Sequence, residues 1–464
     1  MINSKMIEDA IYDLCVEANT SLPEDVFAKI LNAYNDEKNS DAKQVLGLIL
    51  ENAKMAYEKK MPLCQDTGQV LVFAKGKGKC FVDGFNKAIN DGVNRAYEEN
   101  FYRKSVVKNA IFDRENTKTN TPCLIYAEIA DVDGLEIEIM LKGGGSENVS
   151  AAQMLSPTAC EDEIVEFVTS VVKKAGSKAC PPYFIGLGIG GTFEHAALLS
   201  KKALLIEENI DENHTNLAQK IKNSINALEI GPAGLGGSNT TLDVKILTDF
   251  THIACMPVAV SINCHSVRHA KMILEENGKR KKEKGSNLST NRLIDLSTSS
   301  STKIHTSDIN QLKSLKPGQN VLLSGEIYTA RDMAHKRLVE MIEKGEKLPF
   351  DLKNSIIFYA GPCPCSESCV VGSIGPTTSA RMDKYASILY ENGVLATIGK
   401  GERSLEVEKT IKQVGGLYFT VVGGIACYLA EKFIKKELVC FEDLGTEAVY
   451  RFNVEDFPLR LALS

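Results

Sequence analysis

The chain has 464 residues, 44% hydrophobic and 25% charged, with a formal net charge of −6. That length exceeds one ordinary core and predicts at least two domains; the composition is that of a soluble globular protein, and the acidic balance argues against a nucleic-acid partner. No apolar run approaches the roughly 18 residues that cross a bilayer, and Met1–Lys5 lacks the basic and apolar stretches of a signal peptide, so no membrane association and a cytoplasmic location are expected.

The first sixty residues read as helices: Ile7, Ile11, Leu14 and Cys15 recur at helical spacing, as do Val45, Leu46, Ile49 and Leu50. Residues 124–141 alternate apolar and polar, and Asp131–Gly134 reads as the turn of a hairpin. From about 152 to 230, helical segments alternate with Gly-rich turns, and strand-like runs follow at Val244–Leu247 and Pro257–Ile262. The charge run at 279–285 and the Ser/Thr stretch at 297–302 together look like a linker. Beyond it, strand-like runs at 320–323, 355–359, 394–398, 417–422 and 438–441 alternate with helical ones. The expected fold class is mixed α/β: a mainly helical N-terminal domain over 1–280, a linker over 281–304, and a C-terminal α/β domain over 305–464.

Thirteen cysteines need an explanation in a reducing compartment, where buried thiols or ligands are the realistic choices. Cys64 stands in Cys64-Gln65-Asp66-Thr67-Gly68, Cys180 precedes Pro181-Pro182, and Cys264 opens a basic turn ending Arg268-His269. Three thiolates converging from distant loops suit zinc with a fourth ligand, or a cubane cluster with one iron left open; buried thiols are the plain alternative. Lys142-Gly143-Gly144-Gly145-Ser146 offers backbone N–H groups to an anion, or is simply a turn. Gly186–Gly191 resembles part of a dinucleotide fingerprint but lacks the rest of that unit. In the C-terminal domain, Arg331, Arg381, Lys400, Thr377 and Thr378 fall where strands end and helices begin, the edge at which α/β folds gather ligands. Arginine forks match carboxylates, so a small dicarboxylate is the natural guess, with helix capping and surface charge as the bland reading.

Taken together, these blocks resemble the class I fumarases and their relatives, the iron–sulfur L(+)-tartrate dehydratases. The match runs in one order: the Cys64 loop, Arg103-Lys104-Ser105, Asn116–Pro122, the Lys142 glycine loop, Cys180-Pro181-Pro182, Cys264 and Gly375–Arg381. Residues 1 to about 280 look like the family's α part and 305–464 like its β part, fused here in one chain. The resemblance implies a [4Fe–4S] cluster on Cys64, Cys180 and Cys264. It implies carboxylate binding by Arg103, Arg331, Arg381 and Lys400, with Gln65 and Gly144 or Gly145 beside them, and places Asp66, His252, Thr377 and Thr378 in the same site. It also implies a swivelling C-terminal β/β/α domain, a homodimer, and reversible hydration of fumarate to L-malate, with L(+)-tartrate or another dicarboxylate as the alternative substrate. Asp66 and Thr377 would share proton transfer, with His252 positioning or relaying. A non-catalytic iron–sulfur or zinc sensor is the distant alternative. One stretch departs from the family pattern: Cys363, Cys365 and Cys369 stand where proline and small residues are usual, as harmless substitutions, a redox-sensitive patch or a second metal site.

Overall fold

Three amphipathic helices open the chain in the computed structural model, which describes residues 2–282, 301–367 and 369–464. In α1 (Ser4–Thr20) the Asn3 side chain accepts the Met6 N–H, and Ile7, Ala10, Ile11, Leu14 and Cys15 form one fully buried stripe. Helices α2 (Glu24–Asp36) and α3 (Ser40–Lys59) follow, the latter capped by Asn39. The α1 stripe packs on α4 (Phe85–Glu99) and on a five-stranded sheet ordered β2-β1-β3-β8-β9, whose apolar residues complete that core. Its strands are β1 (Gln69–Gly76), β2 (Leu124–Ile129), β3 (Leu135–Lys142), β8 (His269–Leu274) and β9 (Arg280–Lys282).

The expected hairpin at Asp131–Gly134 is not formed. β1 lies between β2 and β3, parallel to the first and antiparallel to the second. Alternation reports which face of a strand is buried, not which strand is its neighbour.

A second sheet in the same unit has the order β4-β7-β5-β6, with β4 (Ala151–Leu155), β5 (Tyr183–Gly191), β6 (Thr241–Thr251) and β7 (Met256–Asn263). Its apolar core is closed by α6 (Glu161–Ala175) and α8 (Glu212–Asn226); α5 (Gly144–Glu147) precedes β4, and α7 (Phe193–Ala203) follows β5. The Gly-rich run expected as a turn is therefore a central strand, β5. A Cβ on Gly186 or Gly188 would fall 2.1 Å from the Ser200 or Ala196 carbonyl of α7, so the glycines allow the helix to lie directly on the strand.

The chain divides into two compact units, Met1–Ile294 and Asp295–Ser464. Most of the linker expected at 281–304 lies outside the described residues. The second unit holds β10 (Thr302–His305), α9 (Ile309–Lys313), β11 (Asn320–Thr329), α10 (Asp332–Glu343), β12 (Ile356–Phe358), α11 (Asp383–Glu391), β13 (Ala396–Gly399), α12 (Leu405–Val414), β14 (Leu417–Thr420), α13 (Ala426–Ala430), β15 (Phe433–Cys440) and β16 (Val449–Leu463). Strands β11 to β14 run parallel, and β16 pairs antiparallel with both β14 and β11, closing a ring of pairings that leaves those strands without a free edge. The mixed α/β class holds for both units. No helix among the described residues is long and apolar enough to cross a membrane.

Candidate active site

In the first unit the Cys64 loop runs from α3 to β1 and is fixed by its backbone. Leu63 N–H donates to Asn19 O, Asn52 donates to Leu63 O, Tyr97 donates to Thr67 O, and Asn120 donates to Gly68 O. Gly68 has φ +79° and lies so close to β3 that a Cβ would stand 3.0 Å from Leu141 and Lys142 backbone atoms, which requires glycine there. The Cys64 thiol donates to Gln65 Oε1 at 3.4 Å.

Asp66 is the hub. Its Oδ2 accepts Gly144 N–H at 2.9 Å, its Oδ1 accepts Gly68 N–H at 3.2 Å, and Arg103 Nη2 stands 3.3 Å from Oδ1. Burial alone would raise its pKa, but Arg103, Arg268 and the two N–H groups outweigh this and hold the carboxyl below the ordinary range. Arg268, buried at 2% exposure, donates through Nη1 to the Asp66 carbonyl, and its Nε has no hydrogen-bond partner among the described residues. Arg268 thus ties the turn after Cys264 to the Cys64 loop. The sequence marks Arg268 only as part of the basic turn that Cys264 opens and assigns it no role.

The three cysteines gather at one end of the second sheet. Cys180 precedes β5 and Cys264 follows β7, and these strand ends pair in register, Phe184 opposite Asn263. Tyr183 feels both thiols, and Cys264 is near enough to Cys64 to bear on its ionisation. Burial pushes the Cys64 thiol up to about 12, opposed by Arg268. Lys142 joins the glycine loop to the same strand end, donating to Ser146 Oγ at 2.7 Å and Ile262 O at 2.8 Å, and burial lowers its pKa to about 8. Among the described residues no three His, Cys, Asp or Glu side chains stand close enough to hold a single metal ion. Three cysteine thiols brought together from separate loops are a donor set that fits a cubane cluster held by three cysteines.

His252 does not join this group. It sits in the turn between β6 and β7, at the other end of the sheet, beyond the pairing of Gly191 with Thr251. Seven residues of extended strand separate that pairing from Phe184, about 23 Å at 3.3 Å per residue. Its neighbours Phe250 and Ile253 are 96% and 93% exposed.

In the second unit, Arg331 and Arg381 meet on one carboxylate. Arg381 forks onto Asp332, Nε to Oδ1 at 3.1 Å and Nη2 to Oδ2 at 2.6 Å, while Arg331 Nη2 stands 3.6 Å from Asp332 Oδ2 and 3.3 Å from Glu447 Oε1. Thr377, Thr378 and Lys400 share a backbone ladder: Thr377 N–H donates to Tyr359 O, Lys400 N–H to Thr377 O, and Ser379 N–H to Lys400 O. Beneath it Arg403, buried and 3.0 Å from Asp383, lies over the rings of Tyr359 and Tyr418. Tyr418 Oη stands 2.6 Å from Gly401 O and 2.8 Å from Ser379 Oγ, locking the turn that carries Lys400. His335, fully buried, donates from Nδ1 to Arg331 O, and burial lowers its pKa to about 4. Asp332, Glu447, Arg403 and His335 were not singled out in the sequence.

Comparison with known proteins shows the family of both units. The family described as "Fumarate hydratase (Fumerase)" matches residues 8–273, and "Fumarase C-terminus" matches 268–464. The "Fumarate hydratase class I, anaerobic" of Escherichia coli K12 is 30% identical over 92% of this chain and 82% of its own length. "Fumarate hydratase 1, mitochondrial" of Leishmania major is 30% identical over the same shares. A "Putative L(+)-tartrate dehydratase subunit alpha" of Methanocaldococcus jannaschii is 41% identical over 57% of this chain and 96% of its own length.

Proposed function

Because this chain belongs to the class I fumarate hydratase family and is a hydro-lyase, we propose that it interconverts fumarate and L-malate, using a [4Fe–4S] cluster held by Cys64, Cys180 and Cys264. The observation that carries this reading is the meeting of Cys180 and Cys264 at one strand end, with the Cys64–Asp66 loop tied to that end through Arg268. When bound, such a cluster supplies a Lewis-acidic iron without a protein ligand, suited to polarising the hydroxyl of a hydroxy acid.

The chain's own residues supply the rest. Arg331, Arg381 and Lys400, with Thr378, bind the substrate carboxylates; Arg103, Gln65 and the Gly144–Gly145 backbone do the same in the first unit. Removing the weakly acidic C–H proton of malate builds charge on the neighbouring carboxylate, which these cations stabilise. Asp66, held ionised in the first unit, and the Thr377 hydroxyl in the second are the proton-transfer groups of this reading. His252 lies far from the cysteines of its own unit, so in this reading a second copy of the chain brings it to them, its exposed turn with Phe250 and Ile253 forming part of a homodimer contact.

Anaerobic purification with iron and sulfide counted, and fumarate hydration followed, tests the proposal. Zinc in place of iron and sulfide, with no turnover, would sink it. The 41% identity to the tartrate dehydratase subunit favours one second reading, L(+)-tartrate as substrate, which a dicarboxylate panel on the same preparation decides.

A further inference from the structure

The segment 361–372 carries Cys363, Cys365 and Cys369, which the proposed reaction does not use. Its neck is closed: Cys363 N–H donates to Ser373 O at 2.9 Å, and a Cβ on Gly372 would meet Pro364 O at 2.4 Å and Cys363 O at 2.7 Å. Cys363 is buried in that neck, at 3% exposure. The other two thiols lie in the loop it closes, Cys365 half-buried and Cys369 exposed. Cys369 N–H donates to Ser366 O at 3.0 Å, the Cys365 thiol donates to the Cys369 carbonyl at 3.3 Å, and the Cys369 thiol donates to Val371 O at 3.1 Å. Burial, and then the neighbouring Cys369 side chain, raise the pKa of the Cys365 thiol, which puts the two side chains within reach of one another. Among the described residues no third donor joins them to make a metal site.

We propose that Cys365 and Cys369 are a dithiol oxidised reversibly to an intramolecular disulfide by low-molecular-weight disulfides such as oxidised glutathione. The Cys365 thiol already reaches the Cys369 carbonyl and the neck holds the ends of the segment together, which suits the pair to the short span a disulfide bridges. The exposed Cys369, as thiolate, attacks one glutathione sulfur, forming a mixed disulfide and releasing one glutathione thiolate. Cys365, as thiolate, then attacks the Cys369 sulfur and releases the second. Two protein thiols lose two electrons, the glutathione disulfide gains them, and the two protons end on two glutathione thiols. The modification sits on the segment that starts at Gly361, where a Cβ would stand 3.0 Å from the Arg331 side chain.

The test uses the anaerobic holoenzyme incubated with oxidised glutathione, then alkylated, digested with trypsin and weighed. The peptide from Asn354 to Arg381 should carry a single alkyl group, on Cys363, and weigh two hydrogens less than the singly alkylated dithiol; dithiothreitol before alkylation should give three alkyl groups. Cys363→Ser should keep this behaviour, whereas Cys365→Ser should stop at Cys369 carrying glutathione and Cys369→Ser should lose the disulfide altogether. Wild-type protein that ends as a stable glutathione adduct, that bridges through Cys363, or that stays reduced would overturn the assignment. None of these readouts depends on turnover, so they stand apart from the test of the hydro-lyase reaction.

Discussion

Arg268→Met isolates what the buried guanidinium contributes, because methionine keeps much of the side-chain volume and removes the charge. The change deletes a charge-assisted hydrogen bond to the Asp66 carbonyl, worth roughly 1.5–3 kcal/mol. It also removes one of the two guanidinium groups that keep the Asp66 carboxylate ionised. Severing a buried ion pair outright costs roughly 3–5 kcal/mol. Arg103 remains 3.3 Å from Asp66 Oδ1, and Nε of Arg268 has no hydrogen bond to lose among the described residues, so the low end applies, about 3 kcal/mol. Larger domains lose near 2 °C of melting temperature per kcal/mol, which gives a drop of about 6 °C. Calorimetry of cluster-free protein measures it. A midpoint within about 1 °C of wild type would refute the idea that Arg268 fastens the two loops.

Thr377→Ala should lower turnover by at least about a hundredfold, the usual scale for a lost proton-transfer group, while the cluster spectrum stays intact; full activity removes Thr377 from the mechanism. His335 should shape the acid limb of stability. Its folded-state pKa is lowered to about 4 from 6.5, so between those values the unfolded chain binds a proton the folded chain refuses. That contribution is complete above pH 6.5 and is lost as the pH falls towards 4. In His335→Gln the slope of unfolding free energy over this window should fall by about 1.4 kcal/mol per pH unit, read from urea titrations; an unchanged slope contradicts the assignment. Asp66→Asn and His252→Ala chains, each inactive alone, should recover about a quarter of wild-type activity when mixed and reassociated, since half the dimers are hybrids with one complete site. A mixture as inactive as its parts would place His252 outside any shared site.

The helical start was legible because its apolar residues fall on one stripe, and α1 to α3 lie where that stripe predicts. Gly186–Gly191 misled for a physical reason: glycine marks close approach as well as chain reversal, and only the α7 carbonyls above β5 distinguish the two. β16 was missed because the consecutive Glu455-Asp456 pair shifts the phase of its apolar alternation midway, where Asp456 has positive φ, although its partners β11, β14 and β15 cover it. In the site, residues of unusual type in an unusual order could be read: Cys64-Gln65-Asp66 and the Arg331, Thr377 and Lys400 blocks. The side chains that orient them could not. Arg268, Asp332 and the Tyr359–Arg403–Tyr418 stack act across long sequence separations, and nothing local in the chain marks them.

Asp332 has a consequence for how ions meet the second unit. Arg331 and Arg381 already face an internal carboxylate, which fills the role of a resident pseudo-ligand. On the proposed role of these arginines, an incoming acid exchanges with that group, so binding swaps one charge pair for another. Association should therefore respond weakly to ionic strength for a site with two arginines, since Asp332 and Glu447 already face them, and monovalent anions such as acetate should compete poorly. Selectivity for a substrate with two acid groups then lies partly in the anion the protein carries itself.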